Sequence, residues 1–516
     1  MTETPVELIA ADRPSSAALQ SALDGEFSLR LDAPERVERL FLDTFDGLLF
    51  AQGLTLRWQR DRLELVPRGA ELPRDAVACA EPAGPIAVAE IPAGTFRDAI
   101  AGVVKVRALI PSARVRVELQ SAAVLNEMDK TVVRLIVEHG ELVAPNGRVS
   151  PLRTRVRLLG VRGYDAELAR VRSLVSAQFT LSAADRTLHE EAVLAAGGAP
   201  EGVGAKLEVA ITPGQRADAA AVAVLARLVE IMDANRPGML ADTDAEFLHD
   251  YRVSVRRTRA IQKELRHVFP PAELATMRAE FRWLQQATGD ARDLDVYVLE
   301  FDALAAHVSA ETRDDLDPLL SVLRNRRLVA HGRLVRALRS ERAAALRRDW
   351  LELLEGLVGR AWDDRTDAIR PIGEVAGERI RKVYRRMVRM GRGIGPGSPA
   401  EDYHELRKQG KELRYLLELF GTPLYSAEVV RPMIKTLKAL QDVLGHHQDL
   451  EVQTTMLRSL RDEVSSFPGG PAALMAMGVL VERLEADAQA AREEFAGVFM
   501  PFAGKRQRAL VDQTFG

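Results

Sequence analysis

The C-terminal half of this chain repeats itself, and an internal repeat constrains a fold more tightly than any local pattern, because two copies of one sequence must build two copies of one substructure. His249 and Arg252 return as His404 and Arg407, and Arg256 and Arg259 return as Lys411 and Arg414, each 155 residues later. Leu284-Gln285, Gly289 and Asp293-Leu294 return as Leu440-Gln441, Gly445 and Asp449-Leu450, 156 residues later. One residue of slippage is what a loop insertion between duplicated helical bundles would produce. Thr243-Asp244-Ala245-Glu246 and Ser398-Pro399-Ala400-Glu401 are also 155 apart. Each reads as a capping box, a hydroxyl three residues before a carboxylate that can return to the cap amide. The run Gly395-Pro396-Gly397-Ser398 before the second is expected to be a turn.

The first two hundred or so residues have a different texture. Leu54–Trp58, Leu63–Val66, Val115–Leu119 and Val132–Glu138 are strand-like runs separated by Gly, Pro and Asp. Small, turn-prone residues from 195 to 204 mark a linker. The expected organisation is an α+β domain rich in strands over 1–200, a linker over 201–212, and an all-α domain over 213–516. The helical part divides into repeats of about 213–365 and 366–516.

Composition narrows the function. Aromatic residues make up 5% of the chain, which argues against platforms for stacking bases. The single cysteine, Cys79, has apolar neighbours; it excludes an intramolecular disulfide framework and reads as a packing residue. The N-terminus lacks a basic stretch before an apolar one, and no window approaches eighteen uninterrupted apolar residues, so the expected location is the cytosol, away from membranes. A formal net charge of -3 gives the molecule as a whole no attraction for nucleic acid, so what matters is where the charges sit. The windows 249–267, 379–392 and 404–414 hold 17 of the 71 lysines and arginines and four acidic residues.

At 100° per residue, His249, Arg252, Arg256, Arg259 and Lys263 fall within about 80° of one another and form one ridge; Arg257 follows Arg256 in the same basic run and is counted with the candidate anion ligands. Leu248, Val255, Ile261 and Leu265 lie on another face. In the second copy His404, Arg407, Lys411 and Arg414 take the same angular positions, with Lys408 beside them, while Tyr415, Leu416 and Leu419 supply apolar surface. A third stretch, Arg379, Arg381, Lys382, Arg385, Arg386, Arg389 and Arg392, has seven cations and no carboxylate in fourteen residues. Like charges at i,i+3 and i,i+4 repel, which is most simply understood if an external polyanion neutralises them. Phosphate oxygens suit both the Arg fork and the Lys point charge. The competing reading is a set of solvated faces paired with acids on other elements. His249 and His404 read as helix-start hydrogen-bonding residues rather than metal ligands. The rings of His446 and His447 diverge, and Asp293-Leu294-Asp295 reads as a partner for the basic stripe. No metal and no cofactor is expected.

The segments His249–Arg259, His404–Tyr415 and Leu440–Gly445, in that order, resemble the CHAD family, the conserved histidine α-helical domain, over about 213–516. The resemblance implies two pseudo-symmetric helical bundles enclosing a basic surface that binds inorganic polyphosphate. Recruitment to polyphosphate granules would accompany such binding. Phe41–Leu49 and Gly53–Arg57 are similar to the CYTH, or triphosphate tunnel, fold, a β-rich tunnel or barrel. Active members of that family open with Glu-x-Glu-x-Lys. With Glu7 as the second glutamate, Pro5 and Ile9 replace the metal-binding carboxylate and the phosphate-binding lysine. Arg153, Arg155 and Arg157 stand where the family tends to place strand carboxylates. Triphosphate hydrolysis needs carboxylates to hold divalent metal, so a degenerate, non-catalytic domain is implied, with Arg57, Arg60, Arg155 and Arg157 retained either as weak anion ligands or as structure. Two alternatives stand beside non-enzymatic polyphosphate binding: a metal-dependent inorganic triphosphatase or polyphosphatase, and a module binding RNA or DNA backbones.

Overall fold

The computed structural model describes residues 6–515 except 71, 205, 206 and 362; Pro5 lies outside the described residues. The chain divides into two compact units, Met1–Ala205 and Lys206–Gly516.

The N-terminal unit runs β1 (Val6–Ala10), α1 (Ser16–Leu23), β2 (Ser28–Leu31), β3 (Glu35–Asp43), α2 (Leu48–Ala51), β4 (Leu54–Gln59), β5 (Arg62–Pro67), β6 (Asp75–Ala78), α3 (Thr95–Val104), β7 (Ile110–Leu125), β8 (Thr131–Val143), β9 (Val149–Pro151), β10 (Thr154–Gly160), α4 (Asp165–Gln178), β11 (Leu181–Ala183) and α5 (Leu188–Ala195). All pairings are antiparallel, in the order β11-β1-β10-β8-β7-β3-β4-β5-β6, with β2 on β7 and β9 on β8. Because side chains alternate across a strand, each strand gives one residue set to each face. One face is apolar: Val124, Val133, Leu135, Val156 and Leu158 pack with Leu19 and Leu23 of α1 and Val171 and Val175 of α4. Further along, Leu40, Leu42, Leu56 and Leu65 pack with Phe96, Ile100 and Val104 of α3. The alternate residues Arg39, Arg57, Glu138, Arg155 and Arg157 are charged, yet they too are buried.

Charge in such a place must be paired. Arg39 hydrogen-bonds Glu138 and, at 2.9 Å, Gln59. Arg157 reaches Glu138 at 2.7 Å, Arg155 reaches Glu7 at 2.8 Å and Glu191 at 2.5 Å, and Arg57 reaches Glu64 at 2.8 Å. Arg60, at an exposed turn with φ of 50°, pairs with Glu35. The four arginines named from sequence as residual anion ligands are thus all held by carboxylates of this unit, and Ile9 is a core residue.

Val203 N–H donates to the Phe45 carbonyl at 2.9 Å, and Gly202 lies so close to Asp46 and Gly47 that a Cβ would collide with their backbone. Small residues here serve close approach, not slack.

The second unit is helical: α6 (Ala217–Leu240), α7 (Ala245–Glu264), α8 (Pro271–Ala287), α9 (Gly289–Leu299), α10 (Phe301–Ala305), α11 (Asp317–Leu338), α12 (Glu341–Leu357), α13 (Ile372–Gly391), α14 (Ala400–Leu416), α15 (Thr422–Leu424), α16 (Ala427–Ser465), α17 (Gly470–Phe502) and α18 (Lys505–Thr514). α13 and α14 begin 155 residues after α6 and α7, and α16 begins 156 after α8. The segments leading into α6 and α13 pair antiparallel at Arg216 and Pro371. Ala217 N–H donates to Arg370 O and Ile372 N–H to Gln215 O; Asp218 N–H donates to Ala368 O and Gly373 N–H to Pro213 O. Each bond has a counterpart with 155 added to the lower number and subtracted from the higher, the reciprocity a two-fold axis imposes. The halves differ at Thr288, where α8 breaks before α9, whereas α16 continues unbroken.

The capping boxes are not formed. Asp244, not Thr243, caps α7, accepting from the amides of Glu246 and Phe247, because its carboxylate sits one residue closer to the first free N–H groups. The residue before α14 is Pro399, without a side-chain cap, and Ser398 accepts from Gly395 N–H within the expected turn.

Candidate anion-binding site

α7 and α14 touch, and each buries apolar residues in the helical unit: Leu248, Val255 and Ile261 on one, Leu406, Leu413 and Leu416 on the other; of the apolar residues expected on the second copy, Leu416 is buried, Tyr415 is half-buried, and Leu419 is buried but lies beyond the end of α14. The cationic ridges flank this contact, and their inner members converge. Lys411 is pushed down to about 8, first by burial and then by the positive charges of Arg407 and Arg256, with Arg252 adding to them against the pull of Asp449. Arg252 is lowered to about 10, chiefly by burial, with Arg256 and Arg292 contributing against Asp293. Two residues from each helix therefore share one field: Arg252 and Arg256 from α7, Arg407 and Lys411 from α14.

Their fastening is unequal. Arg252 donates to Gln285 O and Thr288 Oγ1, both at 2.9 Å, so its fork is fixed by the end of α8. Arg407 reaches Asp449 at 3.2 Å. Arg256 and Lys411, both half-buried, have no hydrogen bond or ion pair among the described residues, and the Arg256 Nε is buried without an acceptor. Asp293 and Asp449, one from each repeat of the sequence pattern, border the cluster. Burial raises both carboxyls, against the pull of Arg252 on Asp293 and of Arg407 on Asp449. Tyr297 senses both; burial and then these two carboxylates push it up to about 12.

Outward from the centre the ridges are neutralised. Arg257 reaches Glu418 at 3.0 Å and Arg414 the same residue at 2.6 Å; Lys263 bonds Glu412 and Lys408 bonds Glu405. Arg259 bonds Gln285 and is lowered, mainly by burial and then by Arg282 and Arg278. His249 is half-buried at the start of α7, and His404 shares a 2.5 Å hydrogen bond with Gln448 on α16. Tyr415 is half-buried.

The third cationic stretch lies on α13 and is not uncompensated, which corrects the sequence reading. Arg379 reaches Asp367 at 3.0 Å, Arg385 reaches Asp512 at 2.6 Å and Arg386 donates to Gln409 at 3.1 Å. Partners distant in sequence supply charge that a fourteen-residue window does not contain. Lys382 and Arg389 are exposed and form no ion pair among the described residues. Asp295, set apart from Asp293 by one residue, pairs with Arg327 at 2.6 Å. Sequence reasoning passed over Arg292, which joins the central field, and over Arg278 and Arg282, exposed neighbours of Arg259. The signal was there, since Arg278 and Arg282 stand i,i+4 on α8.

Among the described residues no cluster of three side chains suited to a metal ion occurs, and no helix is long and apolar enough to cross a membrane. Residues 223–458 match the CHAD domain family, a span that takes in α7, α13, α14 and all of the cations above. The match is to this span of the helical unit and does not reach into the N-terminal unit. Two uncharacterized proteins from Mycobacterium tuberculosis strains are each 31% identical over 274 residues, 50% of this chain and 50% of theirs, so the chain spans about half the length of the curated relatives it matches. The crystal structure of the CHAD domain from the plant Ricinus communis is similar with a TM-score of 0.48 and 24% identity, covering 57% of this chain and 96% of that one. PptA from Streptomyces chartreusis is similar with a TM-score of 0.41 and 17% identity, over 55% and 99% of the two chains.

Proposed function

We propose that the CHAD domain binds inorganic polyphosphate without transforming it, and that Arg252, Arg256, Arg407 and Lys411 form the centre of the site. The observation that carries this reading is the pair Arg256 and Lys411: half-buried cations from two helices, in one field, without a hydrogen-bonding or ion-pair partner among the described residues. Folding alone gives no reason to hold them there, because burial and mutual repulsion both disfavour it. An anion between the helices would remove the repulsion. A linear anion would continue outward along the ridges toward Arg259, whose only side-chain partner among the described residues is Gln285, and could draw on the exposed Lys382 and Arg389 of α13. The reciprocal bonds between the starts of α6 and α13 support a duplicated pair of bundles, which would offer a chain of identical phosphates two like ends of one groove.

The charged face of the N-terminal sheet supports reading that unit as a degenerate triphosphate tunnel. Glu7, Glu64 and Glu138, the carboxylates that could serve a divalent ion, are each engaged by arginine. Phosphate release from tripolyphosphate with magnesium or manganese would overturn this part of the proposal.

The direct test is titration of labelled long-chain polyphosphate into wild type and an Arg256→Ala/Lys411→Ala double variant at two salt concentrations. Each neutralised phosphate releases counterions, so affinity should fall steeply with salt, and the double variant should lose about two from the slope of log K against log salt, by analogy with nucleic acids. Binding indifferent to both substitutions in a folded protein would refute the site. RNA competing equally at equal phosphate concentration would replace polyphosphate with phosphodiester backbones as the ligand.

A further inference from the structure

A second concavity lies in the same helical unit, walled by α6, α7, α8 and α12 with Leu338 of α11. Its volume is about 430 Å³, in the lower part of the range of small-molecule pockets. Val229, Met232, Leu284 and Leu346 give it apolar walls. Trp350, Arg236 and Tyr251 are among the polar residues that line it. Trp350, 1% exposed, is held edge-on to Phe281 at 5.2 Å and stacked on Phe269 at 6.2 Å, so its ring is fixed; its buried Nε1–H finds no acceptor among the described residues. Arg236 donates to Leu338 O at 2.9 Å and forms no ion pair among the described residues. The Tyr251 hydroxyl is pushed up by burial and stays protonated.

The charge balance selects the ligand. Asp233, the only carboxylate among the described wall residues, is matched by Arg347 through bonds of 2.7 to 3.0 Å. What remains is one unmatched guanidinium and an orphaned buried N–H donor beside an apolar chamber. A buried donor without an acceptor costs free energy and calls for an explanation. A guanidinium and an indole N–H suit a carboxylate, and the walls suit a hydrocarbon chain.

We propose that this cavity binds a small amphipathic carboxylic acid of the medium-chain fatty acid class, its carboxylate on Arg236 and Trp350 and its chain among Val229, Met232 and Leu346. The site uses a different side of α7 from the cationic ridge, with Tyr251 rather than Arg252 lining it, and stands independently of polyphosphate binding.

The test is calorimetric titration of the full chain with decanoate, and with 1-decanol as the uncharged comparison. Wild type should bind one decanoate saturably and decanol about tenfold more weakly. Arg236→Gln should weaken decanoate about tenfold and leave decanol unchanged, and Trp350→Phe, which keeps an aromatic ring but no donor, should weaken decanoate about fivefold. Ala343→Phe, which fills the chamber, should abolish binding while thermal unfolding shows the variant folded. No saturable decanoate binding to wild type would mean that water alone serves Trp350 and would overturn the proposal. Binding that survives Ala343→Phe with unchanged affinity would overturn it equally, by placing decanoate elsewhere.

Discussion

Replacing Lys411 with glutamine should make the protein more stable at neutral pH, an unusual outcome for a half-buried residue at the centre of a site. Its ammonium is displaced from 10.5 to about 8, and at about 1.4 kcal/mol per tenfold change in proton affinity, holding the charged form in the fold costs about 3 kcal/mol. The sign follows from linkage. The folded value lies below the unfolded one, so the unfolded chain binds more protons between them and stability rises with pH across that interval. The cost is complete below about pH 7, shrinks from pH 8 upward and has fallen to roughly 1 kcal/mol at pH 10. Urea unfolding of wild type and Lys411→Gln at pH 7 and pH 10 measures it: the variant should gain up to about 3 kcal/mol at pH 7 and a third of that at pH 10. Polyphosphate affinity of wild type should fall as pH rises through 8 and that of the variant should not. A variant less stable than wild type at pH 7, or a gain equal at both pH values, would refute the picture of an ammonium held against its neighbours.

Other perturbations separate parts of the structure. Glu138→Ala leaves Arg39 and Arg157 buried without their shared carboxylate and should cost the N-terminal unit about 3–5 kcal/mol, seen as an early transition in urea. Arg252→Ala frees the Gln285 carbonyl and Thr288 and should cost about 1–2 kcal/mol of unfolding free energy, whereas Arg256→Ala, with no internal bond to lose, should cost none. Gly391→Ala would drive a Cβ into the Phe499 ring where α13 meets α17 and should lower stability by about 1–3 kcal/mol in the same assay.

Local chemistry and periodicity were legible without the fold. The runs Leu54–Trp58 and Val132–Glu138 lie within β4 and β8, and Leu248, Val255 and Ile261, the apolar residues read on α7, are buried. The offset of 155 reappears in the starts of α6, α7, α13 and α14, since helix boundaries and buried faces follow from residue order within a turn or two. Capping was misread by one residue, because Thr243 and Asp244 both qualify by type and only backbone geometry chooses between them. Charge compensation between distant segments was mostly not legible. Nothing in the window 379–392 foretells Asp367 or Asp512, and nothing near Arg155 or Arg157 foretells Glu7 at the other end of the domain. Nor does sequence distinguish Lys411, which forms no ion pair among the described residues, from Lys263, which has Glu412. The sequence by itself determined which residues are cationic, which face of each helix carries them and that the pattern occurs twice. Only the tertiary structure decided which cations are neutralised and which face one another, because Coulomb energy depends on distance and burial in space, and helices distant along the chain set both.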